Sequence, residues 1–224
     1  DECRCIAGNS HLERSGAGKV RAARDGEYAQ RNGARNGEKC RRASGTGRAV
    51  GTASNSYNTA RWNAETFDAD QYSQITYDAT ASGDYVGPAV AGQSGANSSY
   101  HAETNGTALY ISKCLAGTQT NLAGPIGISM ATGDILRMER TVVGGNSVLK
   151  VYKALAASPT TYVQQGSDIT DSSSPILTAG YAGIFSYRSG SGGGVSYWEA
   201  GNIGGGGGGG SMVIGRMSLL GVGV

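Results

Sequence analysis

The fold is decided by the stretch DILRMERTVVGGNSVLKVYK, which runs from Asp134 to Lys153. Two runs rich in β-branched and long apolar residues flank Gly144-Gly145-Asn146, whose residues tolerate the positive φ of a tight turn. In the first run Leu136, Met138 and Arg140 share one face, because successive side chains of a strand point to opposite sides. The pattern predicts a β-hairpin with one buried face and one wet face. A lone hairpin is marginal in water, so further strands must lie beside it.

Short runs rich in Val, Ile, Thr and Tyr recur along the chain, separated by turn residues such as Asn105-Gly106. The predicted strands outside the hairpin are Ala49–Ala53, Tyr57–Trp62, Gln71–Asp78, Asp84–Ala91, Ser98–Glu103, Thr107–Cys114, Thr160–Gln165, Ala179–Arg188 and Val195–Gly201. Short strands at regular spacing, with no helix-forming stretch between them, favour an all-β fold. We therefore predict an antiparallel two-sheet β-sandwich of the jelly-roll type.

Composition divides the 224-residue chain into three segments. Residues 1–47 lack apolar periodicity and are predicted to form a basic, irregular extension, whereas 48–203 form the jelly roll. Residues 204–224 begin with seven consecutive glycines, which an apolar tail follows. Because ordering polyglycine costs on the order of 1–2 kcal/mol per residue, the tail needs an anchor, either its own sandwich or a neighbouring copy. An exposed apolar strip of this kind favours a homo-oligomer formed through 212–224.

Charge is unevenly distributed along the chain. Residues 1–50 hold 11 basic and 6 acidic side chains, whereas the remainder holds 8 basic and 11 acidic ones. The main domain is therefore not expected to bind nucleic acid. No run reaches the roughly 18 apolar residues of a membrane span, so no membrane partner is expected. The polar segment that opens at Asp1 has no signal-peptide pattern, and such a start is typical of a processed or trimmed chain.

The four cysteines, Cys3, Cys5, Cys40 and Cys114, include no pair at the C-x-x-C spacing. The two histidines lie far from any paired thiols, which argues against a structural zinc site. A Cys40–Cys114 disulfide is compatible with a secreted protein, but nothing in the spacing singles it out.

Five segments of the sequence together form a family pattern. They are Tyr85–Val90, Thr107–Lys113, Gly133–Glu139, Leu149–Lys153 and Gly180–Phe185. Over about residues 48–203 this pattern resembles the concanavalin A-like lectin/glucanase jelly roll of the laminin-G-like kind. The resemblance implies a carbohydrate partner and a place in a secreted, cell-surface or phage virion protein, hence an extracellular or virion location. The family has a tight Asn-Gly turn after the Leu149–Lys153 strand, whereas here 154–159 are expected to form a longer, apolar connection.

Glycosidases of that superfamily carry a Glu-x-Asp-x-x-Glu strand, which holds nucleophile and acid on one face. The nearest segment here, Glu65–Asp70, has no second Glu, so the pair is not assigned. Asp68 and Asp70 are expected either to be solvated in a turn or to join backbone carbonyls around Ca²⁺. No other cofactor is expected.

The candidate catalytic residues are one histidine and two acids. His101 and Glu103 lie two apart on one strand face, as a base and its orienting group would, and Glu139 lies on the central hairpin. No Gly-x-Ser-x-Gly elbow occurs, so no serine nucleophile is assigned. The alternative for His101 is an ordinary surface residue of a strand.

Tyrosine is abundant and phenylalanine is scarce, with 12 and 2 residues respectively. Some tyrosines must therefore fill the core, while others are free to stack on sugar rings from a sheet face that also bears polar side chains. The candidate ligand-binding residues are Tyr85, Tyr100, Tyr110, Arg137, Tyr152 and Trp198.

These observations support two functions from different classes. The first is a non-catalytic module that binds glycans or serves structure and assembly. The second is a hydrolase that acts on a polysaccharide or an ester through an atypical site. The missing paired-Glu strand and the missing serine elbow favour the first function.

Overall fold

The computed structural model describes residues 12–15, 19–22, 40–42, 49–51, 55–63, 66–78, 83–94, 97–189, 194–204 and 215–218. Within these ranges all regular structure is β-strand and no helix occurs. This part of the chain accordingly offers no helix that could cross a membrane.

The described ranges contain seventeen strands. They are β1 (Leu12–Ser15), β2 (Lys19–Ala22), β3 (Cys40–Arg42), β4 (Ala49–Gly51), β5 (Ser56–Arg61), β6 (Gln71–Asp78), β7 (Tyr85–Gly92), β8 (Ser99–Thr104), β9 (Ala108–Leu115), β10 (Thr118–Gly127), β11 (Ile135–Val143), β12 (Asn146–Leu155), β13 (Ser158–Gln164), β14 (Ile169–Asp171), β15 (Tyr181–Arg188), β16 (Gly194–Asn202) and β17 (Gly215–Ser218). Their pairing is antiparallel throughout.

Two sheets pack face to face. The front sheet has the strand order β10-β9-β8-β7-β15-β5. The back sheet has the order β13-β12-β11-β6-β16-β4-β3, with β14 beside β12 and β17 beside β16, while β1 and β2 pair separately. The predicted antiparallel β-sandwich is therefore confirmed.

The central hairpin forms as the sequence predicts. Strands β11 and β12 pair in continuous register from Ile135 opposite Ala154 to Val143 opposite Asn146. Gly144 and Gly145 close the turn at φ values of 59° and 84°, which glycine adopts without steric cost. A two-residue turn fixes this register, and the register in turn directs alternate side chains of both arms into the core.

The core lies between the two sheets and is built from their inward-facing side chains. Among its buried members are Ile75, Val86, Val90, Leu109, Ile111, Leu136, Met138, Leu149, Val151, Ile184 and Trp198. Each large apolar side chain buried in this way contributes roughly 1.5–3 kcal/mol before entropy is subtracted. The alternation predicted for β11 is confirmed, and its third inward residue, Arg140, is also buried. The Arg140 guanidinium donates hydrogen bonds to Ser147 Oγ at 3.0 Å and to the Ala69 carbonyl at 2.6 Å.

Two features of the fold correct the sequence analysis. Strand β10 was not predicted, yet it forms the edge of the front sheet beside β9. The connection over 154–159 is not long, because β12 continues to Leu155 and β13 begins at Ser158, directly opposite it. The two strands are therefore joined by a tight two-residue turn, Ala156-Ala157.

The two terminal segments are described only in part. Strands β1 to β3 fall within the predicted 1–47 extension, and the rest of that segment lies outside the described residues. In the tail, β17 pairs with β16 of its own chain, from Ala200 opposite Gly215 to Tyr197 opposite Ser218. The glycines after Gly204 and the remainder of the tail lie outside the described residues, so the homo-oligomer stays a prediction. Cys114 is a free, buried thiol, so the Cys40–Cys114 disulfide is not formed.

Candidate functional site

The outer face of the front sheet carries a concavity of about 510 Å³. Every strand of this sheet contributes to the lining through side chains that point away from the core. The lining residues are Tyr57, Tyr85, Glu103, Tyr110, Gln119, Asn121 and Tyr187. Period-2 alternation explains their presence there, because their strand neighbours Val86, Ala102 and Leu109 are buried in the core. The concavity brings together three residues that the sequence analysis selected separately, namely Tyr85, Glu103 and Tyr110.

Tyrosine rings form the walls of this concavity. Tyr187 lies directly opposite Tyr57 on β5 and directly opposite Tyr85 on β7. The ring centroids of Tyr57 and Tyr187 are 5.2 Å apart, and those of Tyr85 and Tyr110 are 5.9 Å apart with the rings edge to face. Tyr57 remains 41% exposed, so the wall presents an open aromatic surface to a ligand. Such contacts hold the rings at fixed tilts and reduce the entropy lost on binding.

Glu103 lies at the floor of the concavity and is 5% exposed. Its Oε1 accepts hydrogen bonds from Gln119 Nε2 at 2.5 Å and from Ser112 Oγ at 3.3 Å. Within the described residues, Oε2 accepts no hydrogen bond. Burial raises the pKa of Glu103 to about 7, although the bonds from Gln119 and Ser112 partly oppose that effect. The carboxyl group is therefore fixed in orientation by one oxygen and available to a ligand through the other.

His101 lies on the same strand face as Glu103 but beneath the surface. Its ring is fully buried and stacks on Phe185, with centroids 3.9 Å apart and planes 6° apart. Burial lowers the pKa of His101 to about 3, and Gln119 opposes this effect only in part. The expectation that His101 is a surface residue is wrong. A buried, neutral ring covered by Phe185 has no access to a substrate, so His101 is not placed to act as a base.

Two of the six ligand-binding candidates are core residues. Tyr100 is 0% exposed, and its hydroxyl donates to Asp171 Oδ2 at 2.6 Å. Trp198 is 1% exposed, and its Nε1 donates to Ser73 Oγ and to the Gly183 carbonyl, both at 2.9 Å. Neither ring has a free face, so we remove both from the candidate site.

Three further candidates lie on the outer face of the back sheet, away from the concavity. The Arg137 guanidinium lies 3.7 Å from the ring centroid of Tyr72 and 5.3 Å from that of Tyr162. Arg137 also pairs with Glu139 at 2.7 Å, and Tyr152 lies opposite Arg137 on β12. The structure thus gives this cluster internal partners and does not bring it together with Tyr85, Glu103 and Tyr110.

The two acids proposed for Ca²⁺ make hydrogen bonds within the chain. Asp68 accepts from Asn202 Nδ2 at 2.8 Å, and Asp70 Oδ1 accepts from the Val142 amide at 2.8 Å. In the described ranges, no group of three or more His, Cys, Asp or Glu side chains is arranged to hold a metal. The Ca²⁺ site at Asp68 and Asp70 stays a prediction.

Four residues of the concavity escaped selection from the sequence. Tyr57 and Tyr187 lie in strands that were predicted, and alternation places Tyr187 on the same face as Phe185. Gln119 and Asn121 lie on β10, for which the sequence gives no periodic signal. Strand alternation could therefore identify the two tyrosines as site residues, whereas the two amide side chains are identified only from the structure.

Comparisons with known proteins give structural similarities at low identity. No protein-family model matches the sequence, and no curated protein matches it. The carbohydrate-binding module CBM66 from Bacillus subtilis aligns at 14% identity with a TM-score of 0.43, over 64% of this chain and 81% of that module.

Two glycoside hydrolase structures also align. A GH43 enzyme engineered to show both endo-xylanase and exo-arabinofuranosidase activity has 15% identity and a TM-score of 0.39, over 73% of this chain and 34% of the enzyme. A mutant of the GH43 protein BlXynB from Bacillus licheniformis has 15% identity and a TM-score of 0.35, over 68% of this chain and 27% of that protein. This chain thus spans about a third or less of the length of either hydrolase.

Proposed function

We propose that this protein is a non-catalytic glycan-binding module and that its binding site is the concavity on the front sheet. One observation carries the proposal: four tyrosines surround a single buried carboxyl group and two amide side chains. The tyrosine faces suit stacking on the apolar faces of sugar rings. Glu103, Gln119 and Asn121 suit hydrogen bonding to sugar hydroxyls, with few polar groups fixing orientation as in other small-ligand sites.

The absence of a second acid in the lining supports binding rather than hydrolysis. Glycoside hydrolysis uses two carboxyl groups, about 5–5.5 Å apart in retaining enzymes and about 6.5–9.5 Å apart in inverting ones. Glu103 is the only acid among the described residues that line the concavity. Glu139 belongs to the outer face of the opposite sheet, where Arg137 neutralises it. A concanavalin A-like jelly roll in a secreted, cell-surface or virion protein is the setting that this function and the family resemblance favour together.

The proposal is tested by a glycan array followed by calorimetry on variants of the full chain. Tyr57→Ala should weaken binding of an array hit about tenfold, because a lost stacking contact of roughly 1.4 kcal/mol corresponds to that factor. Tyr162→Ala is the matched control, because Tyr162 lies on the outer face of the back sheet and should leave affinity unchanged. Weaker binding for Tyr162→Ala alone would move the site to the other sheet.

A panel of chromogenic glycosides and esters tests the alternative hydrolase function. We expect no turnover above background. Turnover that survives purification and disappears in Glu103→Gln, but not in Glu139→Gln, would make the concavity an active site and overturn the non-catalytic proposal.

A further inference from the structure

We infer that the concavity selects a glycan bearing a positively charged amine, an amino sugar without its N-acetyl group, over neutral and acidic glycans. This inference rests on the proposed function, since it names the ligand class of that same site. It follows from three features of the lining: its negative charge, its tyrosine rings and the Oε2 atom of Glu103.

The lining is electrostatically one-sided. It contains the acid Glu103 and, among the described residues, no Lys or Arg. Of the three basic side chains on the described front-sheet strands, Arg188 ends β15 outside the lining, and the other two have partners elsewhere. Lys113 points into the core and pairs with Asp171 at 2.8 Å, while Arg61 lies over the Tyr181 ring at 5.1 Å. An acidic glycan would therefore meet a carboxyl group with no compensating cation, which disfavours its binding.

The tyrosine walls favour a cation for a second, independent reason. The face of an aromatic ring is the negative end of its quadrupole and attracts a cation within about 6 Å of the centroid, by about 2 kcal/mol when the cation is desolvated. Tyr57, Tyr187, Tyr85 and Tyr110 line the concavity as two contacting ring pairs. A neutral sugar gains only stacking from these rings, whereas an amino sugar gains stacking through its ring and charge attraction through its ammonium group.

Glu103 supplies the third element. Gln119 donates to Oε1 at 2.5 Å, and the Ser112 hydroxyl lies 3.3 Å from the same oxygen and 2.9 Å from Asn121 Oδ1, so the carboxyl group is oriented before a ligand arrives. Oε2 receives no hydrogen bond within the described residues and can accept one from an ammonium N–H, forming a charge-assisted bond. Because burial disfavours the carboxylate in the empty site, a bound cation stabilises it, and a proton leaves Glu103 for solvent when a previously neutral carboxyl binds the amine.

Affinity for a permanent cation should therefore rise with pH. The other titratable or charged side chains that alternation places on this face are His101 on the same strand, Tyr110 and Cys114 on β9, Tyr85 on β7, Tyr181 and Tyr187 on β15, and Tyr57 and Arg61 on β5. Burial holds His101 neutral with a pKa of about 3, and burial raises the pKa of Tyr57, Tyr85 and Cys114. Glu103, with a pKa of about 7, changes charge near neutral pH.

The test compares three oligosaccharides of equal length by calorimetry on the full chain: glucosamine, N-acetylglucosamine and glucose tetramers. We expect the glucosamine tetramer to bind about tenfold more tightly than the other two, because it alone offers a desolvated cation to the rings and the carboxylate. Glu103→Gln keeps the oxygen that accepts from Gln119 and should abolish this preference while neutral tetramers still bind. Glu139→Gln, on the back sheet, is the matched control and should retain the preference.

A pH series uses choline as the probe, because its charge does not titrate. Its affinity should rise about tenfold between about pH 6 and about pH 8, because the ionised fraction of a carboxyl with a pKa of about 7 rises by that factor. The affinity of Glu103→Gln for choline should not change over the same range.

The outcomes separate the two claims. Equal binding of all three tetramers at a site sensitive to Tyr57→Ala overturns the amine selectivity and leaves the glycan-binding proposal intact. A preference for glucosamine that survives Glu103→Gln also overturns the inference. Failure of every tetramer and of all array glycans to bind overturns the proposed function, and binding of choline without any oligosaccharide overturns both claims.

Discussion

Phe185 lies flat against the His101 ring, with centroids 3.9 Å apart and planes only 6° apart. The two residues come from β15 and β8, between which β7 intervenes. The stack is formed across that strand because Gly87 of β7, opposite Phe185, has no side chain. A Cβ atom at Gly87 would lie 1.6 Å from the Ala102 carbonyl oxygen. Beneath the concavity thus lies a ring stack that Gly87 permits and that includes His101, two residues before Glu103 on β8.

The first prediction concerns the pH dependence of stability that His101 contributes. Burial lowers the pKa of His101 from its ordinary value of 6.5 to about 3. A depressed folded-state pKa means that the unfolded chain binds more protons, so this contribution is fully present above 6.5 and is lost as pH falls towards 3. The slope is at most about 1.4 kcal/mol per pH unit for one proton.

His101→Phe keeps a ring on Phe185 and removes the titration. The free energy of unfolding of the parent chain, minus that of the variant, should grow as pH rises from about 3 to 6.5. Urea unfolding at several pH values measures this difference. A difference independent of pH would show that His101 is protonated equally in the folded and unfolded chains.

Glu103 should make stability fall as pH rises, which is opposite to the effect of His101, over an overlapping pH range. Burial raises its pKa from 4.5 to about 7, so its contribution to stability is fully present below 4.5 and is lost as pH rises through 7. Glu103→Gln cannot ionise. Its free energy of unfolding should therefore rise relative to that of the parent chain, by up to about 3 kcal/mol, as pH rises between those values. The same unfolding series measures the gain. A gain that appears instead as pH falls would mean that the carboxylate, rather than the neutral acid, is the form stabilised by folding.

Gly87→Ala should destabilise the front sheet. The added methyl group would meet backbone atoms of β8, which cannot move aside as a flexible side chain would, and overpacking of this kind costs about 1–3 kcal/mol or more. Gly127→Ala is the control, because a Cβ there has no neighbour within 4 Å. Chemical denaturation of the two variants should give a large loss for the first and a small change for the second. Equal stabilities would show that β7 and β8 are not in close contact at Gly87.

The strands that are most easily predicted from sequence are those with one buried face and one exposed face. Strand β11 alternates buried and half-buried residues, and its hairpin was found from that alternation. Strand β10 has no buried face, and its Gly124-Pro125 interrupts any strand pattern, so no local signal marks it. It forms because β9 offers an unpaired edge, and such a tertiary contact is not visible in the sequence of β10 itself.

For a related reason, the sequence identifies only part of the candidate site. Strand β8 is buried on both faces, since Tyr100 and Ala102 face the core while His101 and Glu103 lie under the outer surface. Alternation correctly grouped His101 with Glu103, but it could not say which face was the core. Alternation alone therefore leaves Tyr100 and Tyr110 equivalent as ligand-binding candidates. The register of β8 against β9, which places Glu103 opposite Tyr110, resolves that choice.

A buried ion pair between Lys113 and Asp171 provides the last prediction. Lys113 Nζ lies 2.8 Å from Asp171 Oδ2, and both side chains are almost fully buried, at 3% and 2% exposure. Burial by itself raises the pKa of Asp171, but hydrogen bonds from Lys113, Ser173 and Tyr100 outweigh it and lower the pKa to about 2. This pair links β9 of the front sheet to β14 of the back sheet, so it joins the two layers.

Asp171→Asn should be strongly destabilising, because it leaves the Lys113 charge buried without a counter-charge, a loss of about 3–5 kcal/mol. The double variant Lys113→Met with Asp171→Asn should lose less than the sum of the single variants, since it leaves no unpaired charge. Asp168→Asn breaks the exposed Lys150–Asp168 pair at 3.2 Å and is the matched control, with a much smaller expected loss. In the parent chain, the contribution of Asp171 to the free energy of unfolding is fully present above pH 3.8, its ordinary pKa, and is lost as pH falls through about 2. If Asp171→Asn unfolds at the same denaturant concentration as Asp168→Asn, the pair does not hold the two sheets together.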